Sequence, residues 1–76
     1  MKIELKTFGK IKEIINDQVI EINGDSVESL LDELKVAYPV LPTMIYAIAV
    51  NNVVVREEKI LQTGDEVCLL PPFAGG

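Results

Sequence analysis

Between residues 27 and 38 the apolar side chains Val27, Leu30, Leu31, Leu34 and Tyr38 recur at three- and four-residue intervals. That spacing draws one apolar stripe along a helix, with Glu28, Asp32, Glu33 and Lys35 on the other side. Ser26 is placed to cap its start by accepting a bond from a first-turn amide, and Asp25 with Glu28 is an alternative cap. Pro39 stops it, because a residue before proline disfavours the helical conformation. A single helix cannot bury its own stripe. Whatever flanks it must supply an apolar surface, and in 76 residues there is room for only one such layer.

The flanks read as strands. Residues 2–8 alternate, with Ile3, Leu5 and Thr7 on one face and Lys2, Glu4 and Lys6 on the other. Gly9 punctuates the chain, and Ile11, Ile14 and Ile15 predict one helical turn packed under the sheet. Gln18 to Ile22 is a second strand with Ile20 and Ile22 inward, broken by Asn23-Gly24-Asp25. Beyond the helix, 40–46 is a loop or short turn containing Pro42. Ala47–Val50 and Val53–Val55 form a hairpin about Asn51-Asn52. Arg56-Glu57-Glu58-Lys59 is a solvated charge run, and Ile60 and Leu61 are expected to plug the core. Gln62 to Asp65 is a turn in which Gly64 supplies positive φ, and Glu66–Leu70 is the last strand. Pro71-Pro72 ends it, since neither proline donates to a ladder. The order β-β-α-β-β-β predicts an α+β domain over 1–70, a mixed sheet covered on one face by one helix, with an extended tail at 71–76.

Composition removes whole classes of chemistry. With one cysteine, Cys68, and no histidine, the chain forms no internal disulfide, Cys/His zinc site or all-cysteine iron–sulfur cluster, and no metal site is expected. Ser/His and Cys/His nucleophilic catalysis is equally excluded, so no catalytic site is expected in this chain alone. A net charge of −5 argues against nucleic acid as a partner. No apolar run approaches the ~20 residues that span a bilayer, so no membrane association is expected and the cytoplasm is the expected location.

What remains is the tail, Pro71-Pro72-Phe73-Ala74-Gly75-Gly76. Six residues reach at most roughly 20 Å. The prolines stiffen its base, while Gly75 and Gly76 leave a tip thin enough for a narrow channel, delivering only the Gly76 carboxylate. A carboxylate acylates poorly because its oxygen leaves badly. Adenylation by ATP makes an acyl-adenylate, and a sulfur nucleophile converts that to a thiocarboxylate, with no catalytic residue needed on the carrier. A Gly-Gly end by itself is weak evidence, since many termini are small and functionless.

Read as a set, Ala49-Val50-Asn51-Asn52, Leu61, Gly64-Asp65-Glu66-Val67 and Leu70 through Gly76 resemble the small subunit family of molybdopterin synthase. Phe8-Gly9, Ile11-Lys12-Glu13 and Ser26-Val27-Glu28-Ser29-Leu30 are similar more loosely, with Lys12 where that family usually has arginine. The resemblance implies a ubiquitin-like β-grasp with its first and last strands paired in parallel at the centre. It further implies that an activating enzyme uses ATP to adenylate Gly76 and that a sulfur donor makes the thiocarboxylate. The tail, Pro71 to Gly75, then enters the large subunit and delivers sulfur to a cyclic pyranopterin, with no cofactor bound by this chain. A sulfur carrier for thiamine or cysteine synthesis, and a ubiquitin-like modifier joined through Gly76 to a lysine, share the same tail chemistry and stay open. Cys68 alternates with Val67 and Leu69 and is expected to face away from the helix, more as a packing residue than a nucleophile. Phe8, Cys68 and Leu70 are a possible apolar patch for a partner on the open sheet face.

Overall fold

The computed structural model describes residues 1–72. Strands β1 (Lys2–Thr7) and β2 (Gln18–Glu21) precede helix α1 (Val27–Ala37), and β3 (Ala47–Val50), β4 (Val53–Val55) and β5 (Glu66–Leu70) follow it. Single 3-10 turns occupy Gly9–Glu13 and Leu41–Thr43. The five strands make one mixed sheet in the order β2-β1-β5-β3-β4. β1 and β5 run parallel at its centre, with Leu5 opposite Val67 and Thr7 opposite Leu69; the other pairs are antiparallel. One helix over such a sheet is the ubiquitin-like β-grasp.

Alternation builds the core. Ile3 and Leu5 of β1 and Val67 and Leu69 of β5 point to the same side and bury against Leu30 and Leu34 of α1. Ile11, Ile15, Ile22, Leu41 and Leu61 close the rim of that layer. Leu41 belongs to the segment that the sequence leaves as a loop or short turn; it is a 3-10 turn, which carries the side chain into the core.

The start of α1 is held twice. Ser26 Oγ accepts from Ser29 N–H at 3.1 Å, and the Glu58 carboxylate accepts from Glu28 N–H at 3.0 Å. Backbone bonds Val27 N–H to Lys59 O and Leu61 N–H to Asp25 O tie the charge run to the helix. Glu58 is therefore a clasp and not simply a solvated charge. That attachment also corrects the reading of Ile60. The segment is extended and bridges Ser26, so successive side chains point opposite ways: Leu61 is buried while Ile60 is 62 % exposed. Ile14 differs similarly. The Ile11 carbonyl accepts from both Ile14 and Ile15, which winds Ile11 and Ile15 inward and leaves Ile14 exposed. The β3–β4 hairpin turns on Asn51 (φ 50°) and Asn52 (φ 70°), both left-handed as a two-residue primed turn requires.

Candidate functional site: the root of the tail and the open sheet face

β5 ends because of its next residue. Phe8 N–H donates to Leu69 O at 3.1 Å, continuing the parallel ladder one step past β1. Pro71 has no N–H for the following rung, so pairing stops and the chain leaves the sheet. Gly9 turns β1 away at the same level with φ +65°. A Cβ there would lie 3.0 Å from Pro71 Cγ, so the bare glycine lets the two segments approach. Pro71 is half-buried in this contact, and Pro72 is exposed.

The turn beside the root is fixed by a polar hub. Thr7, fully buried at the end of β1, donates its hydroxyl to Ile15 O at 2.6 Å. Asp17 accepts from Thr7 N–H at 2.9 Å and from Lys12 Nζ at 2.8 Å. Lys12, and next the Thr7 amide, hold the Asp17 carboxyl below its ordinary range. The Lys12 ammonium also stands 5.9 Å from the centre of the Phe8 ring. Between this turn, the Thr43–Ile45 segment and the two prolines lies a groove of about 570 Å³, walled by Phe8, Ile11, Met44, Ile45, Pro71 and Pro72.

Register defines the other face of the sheet. Lys6, Cys68 and Ala49 lie in one row across β1, β5 and β3, and Leu70 is paired with Ala47 in the next. Phe8 follows Lys6 by two residues, so strand alternation brings it level with Leu70 at that edge. Phe8 is 47 % exposed and Leu70 half-buried, whereas Cys68 is only 6 % exposed. Lys6 and Glu66 pair at 3.4 Å alongside it, and the thiol points to Glu66 at 3.8 Å. Burial first, and then the Glu66 carboxylate, push the Cys68 thiol up, away from the reactive thiolate.

Phe73, Ala74, Gly75 and Gly76 lie outside the described residues. The structure thus brings together Phe8, Leu70, Pro71 and Pro72 at one end of the sheet, with Cys68 buried in the row before Leu70. The sequence marks Gly9 as a break but not its contact with Pro71, and it shows neither the Thr7–Asp17 hub nor the place of Met44 and Ile45. Apolar Met44-Ile45 beside Pro42 in an otherwise loop-like segment was the available signal. Among the described residues, no group of three His, Cys, Asp or Glu side chains is placed to hold a metal ion. No helix among them is long and apolar enough to cross a membrane.

The chain is similar along its whole length to known proteins. The molybdopterin synthase sulfur carrier subunit of Chlamydomonas reinhardtii is 32% identical over 83 residues, covering 100% of both chains. A chain of the complex of subunits 1 and 2 of molybdopterin-converting factor from Helicobacter pylori 26695 superposes with a TM-score of 0.77 at 28% identity, covering 100% of each. Small archaeal modifier protein 1 from Haloferax volcanii gives a TM-score of 0.76 at 25% identity, again with 100% of each chain covered. The ThiS family model matches residues 5–76, nearly the whole chain including the Pro-Pro-x-x-Gly-Gly end. This chain belongs to the ThiS family.

Proposed function

We propose that this chain is the sulfur-carrier subunit of a molybdopterin synthase. The observation that carries the reading is end-to-end similarity to a subunit of that name, together with a central strand β5 whose ladder ends at Pro71, the first residue of the Pro-Pro-x-x-Gly-Gly sequence. The one cysteine, Cys68, is buried with its thiol pushed up away from the thiolate, and a carrier needs no nucleophile of its own.

On this reading Gly76 ends the working arm. An activating enzyme joins the Gly76 carboxylate to the α-phosphorus of ATP, releasing pyrophosphate. Sulfur from a donor then displaces AMP at the acyl carbon, leaving a thiocarboxylate. Phe73, Ala74 and Gly75 carry it into the large subunit, where sulfur passes to a cyclic pyranopterin. Pro71 contributes by ending the ladder, so the arm starts directly after the last residue of β5 instead of extending that strand. Phe8 and Leu70 flank that start and face the partner. The chain binds no cofactor of its own, takes no nucleic acid, and works in the cytoplasm.

Intact-mass measurement tests the loading step. Incubation with activating enzyme, ATP and a sulfur donor is expected to exchange one oxygen for sulfur at Gly76, and the loaded protein with its cognate large subunit is expected to turn pyranopterin into a dithiolene. Deleting Gly76 should abolish both while leaving the thermal midpoint unchanged. Loading without dithiolene formation would sink the pterin assignment. The similarity to an archaeal modifier favours a second reading, in which Gly76 forms isopeptide bonds to lysines; lysine-linked adducts without thiocarboxylate would select it.

A further inference from the structure

The groove at the tail root is apolar and bears a single sign of charge. Ile11 forms its buried floor, Phe8 and Ile45 its rims, and the two prolines a third wall. Ile45 is 80 % exposed, although an isoleucine in a loop gains nothing by facing water. The chain carries twelve acidic residues against seven basic ones, yet the groove lining contains no acid and one cation, Lys10. Lys10 is exposed and makes no ion pair among the described residues, whereas neighbouring Lys12 is held by Asp17. About 570 Å³ falls within the ~300–1,000 Å³ of ligand-holding clefts.

We propose that this groove docks an extended segment of the large subunit that presents apolar side chains and one carboxylate. The proposal rests on the carrier reading above. Two observations select this occupant. An apolar wall with one unpaired ammonium, on a strongly acidic chain, admits a segment bearing one acid and disfavours a basic one. Pro71 and Pro72 are both the third wall and the start of the arm, so a partner gripping the chain beyond Pro72 lies against the groove. Docking here fixes the root while the arm threads forward, and it holds the partner through surface that the arm's chemistry does not use.

Calorimetric titration of the full-length protein and its variants with the cognate large subunit tests this. Ile45→Ser is expected to weaken binding at least about tenfold, as loss of a buried aliphatic anchor does. Lys10→Glu is expected to weaken it several-fold and to flatten its salt dependence. Ile60→Ser, exposed beside the helix start and remote from the groove, should bind as the parent does. Parent binding that both groove variants reproduce would overturn the proposal and leave the carrier reading intact. Tighter binding by Lys10→Glu would overturn it by making the occupant basic. A concentration-dependent dimer dispersed by Ile45→Ser in sedimentation would also overturn it, assigning the groove to a second copy. Parent protein that fails to bind the large subunit would remove both the proposal and the reading beneath it.

Discussion

Replacing Thr7 by valine isolates the hydroxyl at the centre of the hub. Thr7 is fully buried, and valine has the same branched shape, so the change leaves packing nearly intact. It removes the donor that reaches Ile15 O at 2.6 Å, while the Thr7 amide still donates to Asp17. A buried acceptor left without its partner costs about 1–3 kcal/mol. For a domain of this size each kcal/mol moves the thermal midpoint by about 4–8 °C, so Thr7→Val should lower it by roughly 5–20 °C. Urea denaturation should show the same loss in midpoint with an unchanged slope, because the native fold and its buried surface are retained. The loss should be local as well as global. Amides of the Gly9–Glu13 turn and of Ile14 and Ile15 should exchange faster with solvent, since the bond pins the end of that turn to β1. Thr7→Ser provides the contrast: it keeps the hydroxyl, loses one buried methyl at about 1 kcal/mol, and should preserve the turn's protection. A Thr7→Val protein with parental stability and parental exchange in the turn would refute the idea that this hydroxyl organises the tail root.

Leu30→Ala, at a fully buried position on α1, should cost about 2–5 kcal/mol and is expected to leave the chain largely unfolded near 37 °C by circular dichroism. Acid should destabilise the fold through its partnered carboxylates. Asp17 is lowered first by Lys12, Glu21 by the N-terminal ammonium, Glu58 by the Glu28 amide and Asp65 by the Asn51 side chain. Each folded value lies below its unfolded one, so their stabilisation is full above the unfolded values of 3.8 and 4.5 and is lost as pH falls through the folded values. Urea midpoints should therefore hold from neutrality to about pH 5, fall below it, and fall less steeply in Asp17→Asn; a midpoint that rises on acidification would contradict the assignment.

Features decided by near neighbours were readable from the residues. Ser26 caps, Pro39 terminates, Asn51-Asn52 turns and Gly64 takes positive φ because each acts within a few residues. Features that need a distant partner were not. The outward turn of Ile60 depends on its bridge to Ser26, and the burial of Leu41 on a 3-10 turn beneath α1. Glu58 looks like any surface charge until the Glu28 amide is brought to it. The parallel pairing of β1 with β5 joins segments some sixty residues apart and entered only through resemblance. The groove combines residues 8–11, 43–45 and 71–72, which no spacing connects.

The same alternation that stabilises the domain also protects its proposed chemistry. In β5, Val67 and Leu69 enter the core, while Glu66, Cys68 and Leu70 face the other way and Pro71 releases the arm. An arm of six residues reaches roughly 20 Å, far enough to bring an activated acyl group back over its own sheet. Any reactive thiol on that face would intercept the acyl-adenylate as a dead-end thioester. The one cysteine there is covered, flanked by the Lys6–Glu66 pair, and held protonated by burial and by Glu66. A protonated, inaccessible thiol does not compete for an acyl group. Removing the cover should therefore matter more than removing the cysteine. Glu66→Ala is expected to expose Cys68 to iodoacetamide and to let a thioester accumulate during adenylation, detected by hydroxylamine-sensitive mass. Glu66→Ala combined with Cys68→Ala leaves the chain without a thiol and should load sulfur as the parent does; a Glu66→Ala protein whose Cys68 reacts with iodoacetamide yet forms no thioester would show that burial of Cys68 is not what keeps the arm free.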